Sequence, residues 1–188
     1  MRTATKTHMS PTDSLFFAVF PDAATAKSIE IFSRELRAEH GVIGKPLAAR
    51  RFHVSLHHLG NYHGLPADAV TLAEQAAAAV ALPPFELTFD HVMSFKGRPG
   101  NQPLVLDSSG GLPALSALHK TLYDLLKPTV FEPFVQLRFK PHLTLLYGEH
   151  RIAQAVDEIT WIAREFVLVH SLLGRTQYKL LSRWPLRG

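Results

Sequence analysis

A short pattern occurs twice in the chain, and this repeat is the feature that most limits what it can fold into. The first copy is His53-Val54-Ser55-Leu56 and the second is His142-Leu143-Thr144-Leu145. An Arg-Phe pair stands shortly before each copy and a glycine shortly after it. The two histidines are 89 residues apart, close to half of the 188-residue chain. This interval predicts two similar lobes that face each other across a shared groove.

The alternation inside each copy is typical of a β-strand with one polar and one apolar face. Side chains alternate between the two faces of a strand, so His53 and Ser55 share one face. His142 and Thr144 share a face in the same way, while the intervening apolar residues pack on the other side. If the repeat brings the two strands together, the groove contains two imidazoles and two hydroxyls.

This set of groups suits the hydrolysis of a phosphodiester. One neutral imidazole can take a proton from water, while the other, protonated, gives a proton to the leaving oxygen. The hydroxyls of Ser55 and Thr144 can donate hydrogen bonds to the non-bridging phosphate oxygens. The chemistry requires neither a metal nor a covalent intermediate, so we expect no cofactor.

Composition excludes several other classes of protein. The chain has no cysteine, which removes disulfide frameworks, thiolate metal sites and cysteine nucleophiles. Apolar residues make up 46% of the chain and the net charge is +4, as in a globular protein that can accept an anionic ligand. No apolar run is long enough to span a membrane and no signal peptide precedes Leu15, so we expect a cytoplasmic protein.

Hydrophobic periodicity predicts an α+β fold in one domain, 13–188, after a disordered leader, 1–12. The predicted order is β-α-β-α-β-β-α-β-β-β, which is too irregular for a doubly wound parallel sheet. The glycine-rich loops that hold nucleotide phosphates are missing from the sequence. Strands are predicted at 14–20, 52–59, 85–95, 103–107, 142–147, 166–173 and 178–184, and helices at 22–41, 65–82 and 113–126.

The two motifs resemble the paired H-x-[ST]-x motifs of the 2H phosphoesterase superfamily. Their flanks resemble its RNA 2′,3′-cyclic phosphodiesterase branch, the 2′-5′ RNA ligase-like proteins. Similar segments are Leu15-Phe16-Phe17-Ala18, the run 139–146, and the closing run from Gly174 to Trp184. The resemblance extends from about Leu15 to Leu186.

The resemblance implies a bilobal, duplicated fold with antiparallel sheets facing a central groove and helices on the outside. It also implies metal-independent hydrolysis of 2′,3′-cyclic phosphates to 2′-phosphates, with possible 2′-5′ RNA ligase activity in reverse. His53 would donate the proton to the 3′ oxygen and His142 would be the base on water. Ser55 and Thr144 would bind the phosphate. The expected partner is an RNA end or a cyclic nucleotide, with no membrane and no obligate protein partner.

Two positions depart from the family pattern. Tyr147 stands directly after the second motif, where family members often have a basic residue, so contacts with substrate are expected to differ. Ser55 replaces the commoner threonine and keeps the hydroxyl. Tyr147 and Arg175, in the closing run, are further candidates for substrate contact.

Other residues have a functional and a structural interpretation. His57 is expected to share the face of His53 and Ser55, where it either contacts substrate or is a partly solvated strand-end residue. His119 is expected at the surface, and His170 in the core with a hydrogen-bond partner. A metal site at the histidine-rich segment 53–63 is not favoured, because ligand spacing with a carboxylate or cysteine is missing.

Basic residues near the motifs leave a similar choice. Arg50-Arg51 and Lys96-Gly97-Arg98 either form a basic rim for an RNA end or are solvated loop charges.

The sequence leaves two alternative functions open. The same chemistry could act on another cyclic or 2′-5′ phosphodiester, such as ADP-ribose cyclic phosphate or a 2′-5′ oligonucleotide. The chain could instead be a nucleotide-binding module without turnover.

Overall fold

A computed structural model describes residues 10–187 of the protein. Over these residues the chain forms nine strands and three α-helices, and every strand pair is antiparallel. The elements are β1 Asp13–Val19, α1 Ala23–Glu39, β2 Ile43–Pro46, β3 Val54–Tyr62, α2 Ala67–Ala78, β4 Phe85–Ser94, β5 Gln102–Asp107, α3 Pro113–Leu126, β6 Leu143–Glu149, β7 Ala153–Ala163, β8 Glu165–Leu172 and β9 Gln177–Pro185. The predicted α+β class is confirmed.

The strands form two similar halves that meet at a single residue pair. The order is β7-β4-β5-β6-β3-β1-β8-β9, with β2 added to β6. The first half contains β3, β1, β8 and β9, and the second contains β6, β5, β4, β7 and β2. Only Val54 and Leu143 pair β3 with β6. This pair lies inside both motifs, and we call the sheet surface at this junction, on the side opposite the main core, the groove.

Local sequence signals explain the helix ends. The Asp22 side chain accepts a hydrogen bond from the Thr25 N–H, 2.9 Å away, and caps α1. Gly41 follows the helix with a φ of 59°, the left-handed conformation that favours glycine. Helix α3 spans the predicted residues, with Pro113 in its first turn.

Two strands were not predicted from the sequence. The segment predicted as a loop after α1 contains β2, where Gly44 is paired with Gly148. A Cβ on Gly148 would lie 2.2 Å from the Ile43 carbonyl oxygen, so glycine permits this close approach. Strand β7 is an edge strand with Asp157 and Glu158 in its middle, which interrupt the alternation that identifies strands.

The main core lies between the helices and one face of the sheet. Helix α3 buries Leu115, Leu118 and Leu122 there, in contact with a cluster that also includes Phe52 and Leu59. A second, smaller cluster forms on the other face of the first half. Its buried members are Phe16, Ala18, Val167 and Val169, and Phe20 and Tyr178 pack against it.

Two further predictions concern the chain's beginning and membranes. Residues 1–9 of the leader lie outside the described part of the chain. Thr12 pairs by backbone hydrogen bonds with Tyr62 and Leu173, at 2.9 and 2.8 Å. Within residues 10–187, no helix combines the length and apolar character needed to cross a membrane.

Candidate active site

The pairing of the two motifs places their four polar residues on one face of the sheet. Val54 and Leu143 are opposite each other and fully buried in the main core. Because side chains alternate, the residues on both sides of this pair point to the opposite face. These residues are the predicted site residues His53, Ser55, His142 and Thr144, and the structure brings them together at the groove.

Each motif ends in a β-bulge at its fourth residue. In β3, Ser55 pairs with Ala18 and His57 with Phe17, so Leu56 is the extra residue. In β6, Thr144 pairs with Val105 and Leu146 with Leu104, so Leu145 is the extra residue. The two halves therefore share the position of a bulge as well as the motif. After each bulge, the residues that face the core and the groove are shifted by one position.

The bulge at Leu56 overturns the prediction for His57. Leu56 and His57 are both buried in the core, and His57 retains only 2% of its exposure. Its Nε2 donates a hydrogen bond to the backbone carbonyl of His119, 2.9 Å away. The sequence prediction assumed unbroken alternation, so His57 was expected beside Ser55. In the structure it lies on the opposite face and takes the place that Leu146 has in the second half.

Both histidines of the motifs are held in the same way. His53 Nδ1 lies 2.7 Å from the carbonyl oxygen of Arg51, and His142 Nδ1 lies 2.8 Å from that of Lys140. A carbonyl oxygen only accepts, so each Nδ1 carries the hydrogen. Each Nε2 is therefore the atom that takes up or gives a proton, and the backbone two residues earlier fixes the ring.

Aromatic rings enclose His53. The centroids of Phe16, Phe20 and Tyr178 lie 5.2, 5.5 and 5.5 Å from that of His53. Burial, with a smaller contribution from the charges of Arg51 and His142, lowers the pKa of His53 to about 4. His53 is therefore neutral at pH 7 when no ligand is bound. His142 lowers the pKa of His53 because two positive charges at close range repel each other.

The surroundings of His142 are more open and more polar. Phe95 is its aromatic neighbour, with ring centroids 4.9 Å apart. The Lys140 ammonium lies 4.4 Å from the centre of the Phe95 ring and 3.3 Å from an Asp107 carboxylate oxygen. Lys140 thus lies over the ring that neighbours His142.

The two motif hydroxyls are available to a ligand. Ser55 is exposed and Thr144 is half-buried at the groove. Within the described part of the chain, neither hydroxyl hydrogen-bonds to another protein group. Both can therefore donate to an anion without first breaking an internal bond.

The remaining candidates for substrate contact divide by position. Tyr147 is 42% exposed and lies beyond the Leu145 bulge, so it remains a candidate at the groove. Arg175 is exposed in the turn between β8 and β9, and the structure gives its side chain no contact with the motifs. Lys96 and Arg98 are exposed in the loop between β4 and β5.

His119 is buried, so its predicted surface position is wrong. It is 3% exposed, and its ring is stacked between His57 and Phe139 with centroid distances of 3.9 and 4.1 Å. The sequence places His119 next to Leu118 at the border of the apolar face of α3, and only the packing of the bulged β3 against α3 decides its burial. His170 is buried as predicted, with Nε2 2.5 Å from Asp13 Oδ1.

We expect the stacked pair His57 and His119 to make the fold sensitive to acid. Burial lowers the pKa of both, that of His119 to about 4, whereas an unfolded histidine titrates near 6.5. The unfolded chain therefore binds more protons below pH 6.5, and stability falls between about pH 6.5 and 4. Between pH 7 and 5, the free energy of unfolding is expected to fall by roughly 1–2 kcal/mol less in His119→Phe than in the wild type. Urea unfolding at the two pH values measures this difference.

The control for this experiment is His63→Phe at an exposed position. It is expected to keep the wild-type dependence on pH. Equal pH dependence in the His119 variant and the wild type would contradict the assignment.

The described residues contain no group of three His, Cys, Asp or Glu side chains that could hold a metal ion. His58, one of the histidines considered for a metal, is exposed, and its Nε2 lies 3.2 Å from Ser14 Oγ and 3.1 Å from Asn61 Oδ1.

The sequence does not predict the aromatic rings that lie beside the two histidines. Aligning the motifs on their histidines sets Arg51 against Lys140, not against Arg138 of the Arg-Phe pair. A cation two residues before each histidine was therefore visible in the sequence, but its aromatic partners, Tyr178 and Phe95, were not.

Known proteins share this fold, and a family model matches the sequence. Residues 21–173 match the family model of the 2′-5′ RNA ligase superfamily. LigT of E. coli, in a complex with 3′-AMP, is 26% identical over 94% of this chain and 99% of its own, with a TM-score of 0.75. A solved phosphoesterase is 25% identical over 95% of this chain and 100% of its own, with a TM-score of 0.74.

A more distant structure, the protein TT0787 of Thermus thermophilus, is similar in fold alone. It is 21% identical over 93% of this chain and 98% of its own, with a TM-score of 0.73. A comparison with curated proteins found no match.

Proposed function

Because this chain belongs to the 2′-5′ RNA ligase superfamily of 2H phosphoesterases, we propose that it hydrolyses 2′,3′-cyclic phosphates at RNA ends or on nucleotides. The expected product is the 2′-phosphate. The reaction uses the two histidines as base and acid and needs no metal. We further propose Ser55 and Thr144 as the groups that bind the phosphate.

One observation carries the proposal. Both imidazoles are anchored through Nδ1 to a backbone carbonyl, on the same sheet face and on either side of the Val54–Leu143 pair. Two identically held rings with available Nε2 atoms are what a reaction with one proton removed and one proton added requires. A nucleotide ligand is supported by the 3′-AMP found with the E. coli relative.

The proposed reaction is a displacement at phosphorus. Nε2 of His142 takes a proton from water as the water oxygen forms a bond to phosphorus. The bond from phosphorus to the 3′ oxygen breaks, and Nε2 of His53 gives its proton to that oxygen. The hydroxyls donate to the non-bridging oxygens, whose negative charge grows in the transition state. These two histidine roles rest on the family resemblance.

The lowered pKa of His53 adds a condition to this assignment. A ring with a pKa of about 4 is neutral at pH 7 in the free protein, and an acid must be protonated. An anionic phosphodiester beside the ring favours its protonated form and raises the pKa. Under this assignment His53 takes up its proton together with the substrate.

We expect purified protein to open a 2′,3′-cyclic nucleotide at an unchanged rate after dialysis against EDTA and assay in excess EDTA. The reason is that imidazoles and hydroxyls supply the acid, the base and the phosphate donors. The product is identified as the 2′- or 3′-phosphate by chromatography against both standards.

Three results would count against the proposal. Failure to open any cyclic phosphate, on RNA or on a nucleotide, would contradict the activity. Recovery of a chelated, inactive protein on adding a metal would show that the histidine-rich segment 53–63 has been misinterpreted. Binding without hydrolysis, unchanged in a variant lacking both histidines, would favour a nucleotide-binding module.

A further inference from the structure

The two halves repeat a unit that is larger than the sequence motif. In the first half, the Arg51 guanidinium carbon lies 5.0 Å from the centre of the Tyr178 ring, which also contacts His53. In the second half, the Lys140 ammonium lies over Phe95, which contacts His142. Each unit therefore consists of a cation, an aromatic ring and the motif histidine, and the cation stands two residues before that histidine.

The two cations differ in whether a carboxylate neutralises their charge. Lys140 is paired with the Asp107 carboxylate at 3.3 Å. Arg51 has no carboxylate partner within the described part of the chain. Its Nη2 donates to the Tyr178 hydroxyl at 3.2 Å, and its Nε is buried without a hydrogen-bond partner. The buried Nε is out of reach of a ligand, but the two η nitrogens carry four N–H donors, and Tyr178 takes only one of them. The guanidinium can therefore still bind an anion, and Tyr178 holds it in place.

A cleft of about 430 Å³ opens along Arg51 and Tyr178. Its size is within the range of small-ligand sites, which begin near 300 Å³. Arg50 and Lys179 are exposed residues of its lining, and Phe20, the ring stacked on His53, also borders it. Among the described residues that line it there are three cations and no carboxylate. The cleft therefore joins the surroundings of His53 to a surface suited to an anion.

We propose that the cleft beside Arg51 binds the phosphate next to the scissile one, so that the preferred substrate is an oligonucleotide that ends in a cyclic phosphate. This rests on the proposed function and specifies its substrate. A guanidinium gives two donors to a phosphate, and each such charge-assisted bond is stronger than a neutral one. A mononucleotide has no second phosphate and leaves Arg51 without its ligand.

The test compares a dinucleotide and a mononucleotide, each with a 2′,3′-cyclic phosphate. Wild-type kcat/KM is expected to be about 10- to 100-fold higher for the dinucleotide, the effect of one charge-assisted hydrogen bond. Arg51→Gln is expected to remove most of this ratio. Lys140→Gln is the matched control, with a cation lost at the equivalent position, and is expected to keep the ratio.

Two further measurements make the test independent of turnover and of folding. The first is the affinity of each protein for the two 2′-phosphate products. Arg51→Gln is expected to bind the dinucleotide product more weakly than the wild type does, by the same factor, and to bind the mononucleotide product equally well. Arg50→Gln, at an exposed position of the cleft, is expected to lower the salt dependence of dinucleotide binding, because the lining loses one cation.

The inference is overturned if wild type handles both substrates equally, or if Arg51→Gln and Lys140→Gln change the ratio alike. These results leave cyclic phosphate hydrolysis itself intact. If the wild type hydrolyses neither substrate, the proposed function is contradicted instead. The affinities for the two products then test whether the cleft binds the second phosphate. An unchanged salt slope in Arg50→Gln, with equal affinities for both products, also counts against the cleft.

Discussion

Replacing His53 or His142 by alanine is expected to lower kcat for cyclic phosphate hydrolysis by about 10²–10⁴-fold, the usual contribution of a positioned acid or base. Each ring presents Nε2 at the groove because its Nδ1 is bound to a backbone carbonyl. The carbonyls belong to the backbone and not to the rings, so we expect alanine to preserve the fold and the loss to be chemical. Steady-state kinetics on a 2′,3′-cyclic nucleotide measures it.

The double variant is expected to lose far less than the product of the two single losses. Proton removal and proton donation belong to one displacement, so a protein that lacks either ring already lacks the concerted step. His58→Ala is the matched control, because His58 is an exposed histidine of the same strand. Near wild-type rates in both single variants would show that the two-histidine mechanism is wrong.

A substrate with a good leaving group separates the two roles. Such a leaving group needs no proton, so it is expected to rescue the His53 variant, which lacks the proposed acid. It is not expected to rescue the His142 variant, which lacks the base. Rescue of the His142 variant and not of the His53 variant would reverse the two roles. His53 would then be the base, a role for which its ring is already neutral in the free protein.

Replacing Thr144 by alanine is expected to lower kcat by roughly 10²–10³-fold, and Ser55→Ala is expected to act in the same way. Removing one preorganised donor to a transition-state anion costs about 2.7–4 kcal/mol. The hydroxyls fit that role because they lie beside the histidines on the groove face and form no internal hydrogen bond within the described residues. Steady-state kinetics and thermal unfolding of each variant measure the effect.

Stability separates this role from a structural one. Ser55 is exposed, so Ser55→Ala is expected to change the free energy of unfolding by less than about 0.5 kcal/mol. Thr144→Ser and Ser55→Thr keep a hydroxyl and are expected to keep most of the rate. Ser116→Ala, at an exposed position of α3, serves as the control. A lowered melting temperature with unchanged specific activity would assign the motif hydroxyls to the fold.

Most of the secondary structure follows from signals that are local in the sequence. Helix α3 begins and ends where its leucine spacing and Pro113 predict. Helix α1 is capped by Asp22 and followed by Gly41 as predicted. These features depend on a few neighbouring residues, and therefore can be predicted without knowing what packs against them.

Side-chain direction near the site was less predictable. His57 differs from the prediction because a bulge at Leu56 shifts the pairing of β3 with β1. A bulge depends on the register of the partner strand, which a single strand's pattern does not contain. His119 differs for a related reason, since the face of β3 that meets α3 includes the bulged residues, and the His57 ring stacks on His119.

The sequence by itself determined which polar groups meet at the groove: two histidines and two hydroxyls, each pair on one strand face, in an α+β chain with a duplicated motif. Tertiary structure alone decided how that chemistry is tuned. Arg51 meets Tyr178 across 127 residues, and the aromatic rings around His53 come from two distant segments of the chain, β1 with its end and β9. The identity of these polar groups follows from residue type and period, whereas their burial and pKa depend on the residues that distant segments place beside them.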